Sequence, residues 1–101
     1  MAIDKFELEE IFEKFIEKFY ESDLREAATK GIESIPIDFV QIAKFNNNVA
    51  EQLLNTPQET IGALETAMIR RMRKWISGLS ASQLAQVKHI GKYNIGKLTG
   101  I

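Results

Sequence analysis

The sequence predicts a mainly α chain, a four- to five-helix bundle with a short C-terminal β-strand. Three observations carry that reading. Apolar residues recur at helical spacing near the N-terminus and again after Pro57. Residues that start helices recur along the chain, at Asp4, at Asp38 and at Thr56-Pro57. Beyond Gly78 the helical pattern fades, Gly91 and Gly96 break any longer helix, and Tyr93 to Ile101 reads as a single strand.

The first helix carries Leu8, Ile11, Phe12, Phe15, Ile16 and Phe19 in one stripe, with Glu9, Glu10, Glu13, Lys14, Glu17 and Lys18 off it. Asp4 caps it, and Glu7 three residues on fits a capping box. Glu10–Lys14 attracts at i, i+4 while Glu13–Glu17 repels, so their net support is small. Ser22 or Asp23 caps a second helix holding Leu24, Ala27, Ala28 and Ile32, with Gly31 weakening its last turn. Ile35-Pro36 is extended, because proline disfavours α geometry in the residue before it.

Asp38 then caps a short helix bearing Val40, Ile42 and Ala43. Asn46 to Asn48 interrupt it. One of these three caps the next helix, which carries Val49, Ala50, Leu53 and Leu54. Thr56-Pro57-Gln58-Glu59 is the strongest helix start: Thr56 caps, Pro57 takes the first helical position, and Glu59 completes the box. Ile61, Leu64, Met68, Met72 and Trp75 or Ile76 run down one face, and Gly78 ends the helix. Ser80 to Val87 allows one or two further turns. The strand from Tyr93 has no partner in such a bundle, and an unpaired strand is a physical oddity. A chain cut just inside a following β-domain explains it.

With 101 residues the chain is one domain by default. Folding at this size hides roughly 60–65% of the unfolded surface, enough for one modest core. The 45% hydrophobic and 27% charged content is that of an ordinary globular domain. A net charge of −1 gives no overall pull toward nucleic acid or membrane, so a nucleic-acid role requires a local basic face. The absence of cysteine excludes disulfides and thiolate-bound zinc and suits an intracellular origin. No signal peptide is visible among Asp4, Glu7, Glu9 and Glu10, and no apolar run approaches the ~18–20 residues of a membrane span. Charge divides the chain: residues 69–101 hold Arg70, Arg71, Arg73, Lys74, Lys88, Lys92 and Lys97, and no Asp or Glu.

Catalytic chemistry has little support. His89 is a lone histidine between Lys88 and Ile90, the usual setting of a surface or linker residue. Ser80 and Ser82 lack a plausible base. Gly91 to Lys97 has GxxxxGK spacing, but Leu98 stands where Ser or Thr would ligate magnesium, and the strand–loop–helix context is missing. The best candidate is the basic segment Ile69-Arg70-Arg71-Met72-Arg73-Lys74-Trp75. Arg70, Arg73 and Lys74 share a helix face, Arg71 lies to one side, and Lys97 is a further cation. They suit successive phosphates, with Trp75 stacking on a base. The simpler account is that cations near a helix C-terminus complement its dipole and that Trp75 packs in the core. Phe6, Phe12, Phe15, Phe19 and Tyr20 suit a core, with some free to meet a neighbouring subunit.

Two blocks carry a family resemblance. Ile37-Asp38-Phe39, Phe45-Asn46, Ala50, Leu53-Leu54, Pro57, Ile61, Leu64 and Ala67 form the first; Ile95-Gly96-Lys97-Leu98 with Gly100-Ile101 forms the second. In this order and spacing they resemble the N-terminal helical subdomain of the minichromosome maintenance (MCM) replicative helicases in their archaeal form, running into an oligonucleotide-binding (OB) domain. The resemblance implies that residues 1–78 are the helical bundle and 79–101 the connector and first strand of a truncated OB domain. It implies a regulatory, DNA-contacting part of a hexameric, ATP-dependent DNA-replication helicase, cytoplasmic and nucleoid-associated, with DNA and other MCM subunits as partners. By itself the chain is then no enzyme and takes no small-molecule substrate. ATP, Mg and Zn belong to missing parts of the parent, since the zinc-binding cysteines, the DNA-contacting β-hairpin and the Walker and arginine-finger residues have no counterpart here. Two other readings stay open: a free-standing helical protein–protein interaction module, and a small DNA-binding protein acting through Arg70, Arg71, Arg73 and Lys74.

Overall fold

The computed structural model describes residues 3–32, 34–87 and 94–100, with the backbone alone for 94–97. Among these, six helices and two strands follow in order: α1 (Lys5–Phe19), α2 (Glu21–Lys30), β1 (Ser34–Asp38), α3 (Phe39–Phe45), α4 (Asn47–Asn55), α5 (Pro57–Ser77), α6 (Ala81–Leu84) and β2 (Asn94–Thr99). The fold is mainly α, as the periodicity implies.

Local signals explain most boundaries. Asp4 Oδ1 accepts from the Glu7 N–H at 3.0 Å and starts α1. The α1 stripe then buries Leu8, Phe12, Phe15 and Ile16, with Ile11 and Phe19 half-buried. Glu9 departs from expectation: although off the stripe, it is only 2% exposed. The helix α2 also departs. A single residue, Tyr20, separates it from α1, so Ser22 and Asp23 fall inside its first turn rather than capping it. Gly31 closes α2 in the left-handed region (φ 75°), and the Ile32 N–H reaches back to the Ala27 carbonyl. Ile32 therefore lies beyond the helix and is 46% exposed, not inside it.

Asp38 caps α3 through the Val40 N–H at 2.9 Å. Asn46 caps α4, its Oδ1 accepting from Asn48 and Val49. Pro57 opens α5 as expected, but Thr56 forms no side-chain cap. Its hydroxyl instead donates to the Gln52 carbonyl at 3.0 Å, because α4 and α5 are one residue apart and the last carbonyls of α4 need donors. Val40 and Leu54, expected as apolar members of α3 and α4, are exposed. Gly78 ends α5 with right-handed backbone (φ −94°). Ser80 and Gln83 form a capping box at α6.

The C-terminal strand is not an orphan. β2 pairs in parallel with β1, Ser34 opposite Asn94 and Asp38 opposite Thr99, in a two-stranded sheet. Ile35 and Ile37 point inward while Ser34 and Pro36 face out. The register shifts between Ile35 and Pro36, where proline has no N–H for a ladder. The need for a severed β-domain to explain a lone strand therefore disappears. Gly100 (φ 84°) follows β2, and a Cβ there would stand 2.6 Å from Asp38 Oδ1, the cap of α3.

The core lies chiefly between α1 and α5, the most extensive helix pair. Ala63, Leu64, Ala67, Met68 and Met72 of α5 are buried against the α1 stripe. Each large side chain so buried contributes about 1.5–3 kcal/mol relative to exposure. The Phe15 ring meets those of Phe12, Phe19, Tyr20 and Phe45 at 5.4–6.4 Å between centroids. Tyr20 also ties this cluster to the sheet, its hydroxyl accepting from the Asp38 N–H at 3.0 Å.

Candidate nucleic-acid interface

The last turns of α5 carry Arg70, Arg71, Arg73 and Lys74, four of the cations singled out from the sequence. They do not stand open to solvent as a group. Glu9, Glu13 and Glu17 recur every fourth residue on α1, and Glu21 continues the row at the start of α2. Packing of α1 on α5 brings this acidic row against the basic segment.

Arg70 reaches Glu9 at 3.0 Å and Glu13 at 3.8 Å. The Glu9 contact is an ion pair rather than an aligned hydrogen bond, since Glu9 Oε1 lacks a hydrogen-bond partner of acceptable geometry. Arg71 donates to Glu21 at 2.5 Å and lies 3.5 Å from Glu17, with its side chain 17% exposed. The Glu21 hydrogen bond raises the Arg71 pKa above the ordinary value, against a smaller opposing effect of burial. Lys74 donates to Glu13 at 2.9 Å but is 64% exposed. Arg73 is exposed and forms no ion pair with a described residue. The side chain of Lys97, and all of His89, lie outside the described residues. So does Gly91, the start of the GxxxxGK segment; its last four residues belong to β2.

Trp75 is half-buried against the core, and the Arg25 guanidinium sits over its ring at 5.5 Å. This is the packing role rather than an open stacking platform. Of the aromatics of α1, Phe12 and Phe15 are core residues, Phe19 and Tyr20 pack on it, and Phe6 is 74% exposed. Arrangement of the cations thus divides them in two. Arg70 and Arg71 are bound into the α1–α5 and α2–α5 junctions, whereas Arg73 and Lys74 present charge to solvent.

The acidic partners went unnoticed in the sequence. The signal was present, however. A row of like charges at i, i+4 weakens an isolated helix and calls for cations from elsewhere.

A cleft of about 490 Å³ lies further toward the N-terminal half of α5, lined by Ile3, Lys5, Leu8, Gln52, Glu59, Gly62, Ala63 and Thr66. The Gln52 amide pins Ile3 beside it, accepting from its N–H at 2.7 Å and donating to its carbonyl at 2.9 Å. Among the described residues no three His, Cys, Asp or Glu side chains converge as a metal site requires, and no helix is long and apolar enough to cross a membrane.

Comparison with curated proteins and with solved structures gives no match. The family model described as the MCM N-terminal domain matches residues 7–94, from the first turn of α1 to the first residue of β2. That span takes in both the acidic row and the basic segment it meets, and by it the chain belongs to the MCM N-terminal domain family.

Proposed function

We propose that this chain is a regulatory, DNA-contacting N-terminal part of an MCM replicative helicase and is not catalytic by itself. The observation that carries the proposal is the family match across nearly the whole helical body. In this reading Arg73 and Lys74 touch phosphates of a DNA strand. Such contacts fix position without reading sequence, and their strength falls with salt. Lys97 is a further candidate for the same strand. Other MCM subunits are the protein partners, in a hexamer. ATP, magnesium and zinc fall to other modules of the parent, and residues 79–101 are its connector and the first strand leading into the OB domain, a strand that in this chain also pairs with β1. An archaeal, nucleoid-associated setting belongs to the same proposal.

Titration of a labelled single-stranded oligonucleotide at several salt concentrations tests it. Charge reversal in Arg73→Glu/Lys74→Glu should lower the salt slope by about 1.4, near 0.7 for each lost phosphate contact. An unchanged slope removes the DNA-contacting role. ATP hydrolysis by the purified chain would remove the non-catalytic one.

Exposure of Phe6 and Leu54 favours the second reading, a free-standing helical module that docks a protein partner. A chain whose oligonucleotide binding is nil, but which binds another folded protein through Phe6 and Leu54, would support that module.

A further inference from the structure

The cations of α5 differ in how firmly they are held. Arg70 serves a carboxylate that is only 2% exposed, and Arg71 is itself largely covered. Lys74 is held only at the surface. Between the two sets stands Glu13, whose side chain is 15% exposed and faces both Lys74 and Arg70. Glu17, 59% exposed, adds a second negative charge beside Arg71.

We infer that Glu13 and Glu17 are an internal stand-in for phosphate, which an incoming nucleic-acid strand must displace to engage the end of α5. The inference rests on the DNA-contacting reading above. The exchange requires no helix movement. α1 stays seated by Leu8, Phe12, Phe15 and Ile16, while the Lys74 ammonium swings outward on its flexible stem. An exposed ammonium–carboxylate pair is weak enough to give way to closely spaced phosphates. A single small anion lacks that advantage, because the carboxylates it must displace remain beside it. The row thereby sets a threshold: strands of high charge density bind and sparse anions do not. It also explains how a domain of net charge −1 can carry a basic segment without attracting anions indiscriminately.

The test is oligonucleotide binding by Glu13→Gln/Glu17→Gln, followed by fluorescence anisotropy from about 50 to 200 mM salt. This variant keeps the Arg70–Glu9 and Arg71–Glu21 contacts, so its melting temperature should stay within about 8 °C of the parent. Binding at low salt should tighten roughly twofold to thirtyfold. The salt slope should steepen by about 0.7 for each cation released. Glu51→Gln/Glu59→Gln changes net charge equally but lies away from the basic segment, and should show no comparable gain. Adding Arg73→Glu/Lys74→Glu to the first variant should abolish the gain.

If the parent chain binds and Glu13→Gln/Glu17→Gln binds identically, the stand-in role is overturned while the DNA-contacting reading survives. An equal gain in Glu51→Gln/Glu59→Gln overturns it as well. Absence of binding by both parent and variant at about 50 mM salt overturns both.

Discussion

Replacement of Arg70 by Met isolates the α1–α5 ion pair whose carboxylate is the most deeply buried among the described residues. It leaves the Glu9 carboxylate, 2% exposed, without its cation. Stripping one partner from a buried pair costs about 3–5 kcal/mol. Here the Arg70 side chain is 42% exposed and the contact is poorly aligned, so water already screens part of it. The expected loss is therefore about 2–3 kcal/mol. In a chain of 101 residues that lowers the melting temperature by roughly 10–20 °C. Removing both charges, in Glu9→Met/Arg70→Met, leaves an apolar pair of similar reach and should return stability to within about 1 kcal/mol of the parent. Urea and thermal unfolding of the four proteins in this double-mutant cycle give the coupling directly. The reasoning fails if Arg70→Met unfolds within about 0.5 kcal/mol of the parent, or if the double variant is as unstable as the single one.

Other substitutions probe the joints that position the interface. Phe15→Leu removes a buried ring that meets four others and should cost about 1–3 kcal/mol in urea unfolding. Tyr20→Phe deprives the Asp38 N–H of its acceptor; about 1–2 kcal/mol of stability and the slow hydrogen exchange of that amide should go together. Gly100→Ala forces a side chain onto the α3 cap at a positive φ, and should speed amide exchange in β2 before the helical body responds. The Lys30 hydrogen bond lowers the Glu26 pKa, so the stability that pair contributes is present at neutral pH and lost as pH falls through the depressed value. A Glu26→Gln variant should therefore differ from the parent in thermal melts at neutral pH and converge with it in acid.

Much of the helical body was legible because its signals are local. Asp4, Asp38 and Asn46 cap through bonds to residues two or three positions away, and Pro57 needs only its own ring to open α5. What the residues did not disclose depends on distant partners. β1 is five residues long and its strand partner lies beyond four intervening elements, so its alternation of Ile35 and Ile37 with Ser34 and Pro36 passed for a merely extended link. Thr56 has the composition of a cap, yet the approach of α4 gave its hydroxyl another acceptor. The candidate interface was half legible. Its cations stood out as a run, but Lys74 meets Glu13 across 61 positions and Arg71 meets Glu21 across 50, separations at which charge spacing within one helix carries no information.

The most direct single measurement is a two-dimensional amide NMR titration of this chain with a short single-stranded oligonucleotide at low salt. Shifts should concentrate at Arg73 and Lys74, with smaller ones at Glu13 and Glu17, and the core amides of Leu64 and Met68 should stay still. Shifts centred instead on the cleft around Gly62 and Gln52, or none anywhere, would contradict a basic end of α5 that is held in check by α1 and opened by DNA.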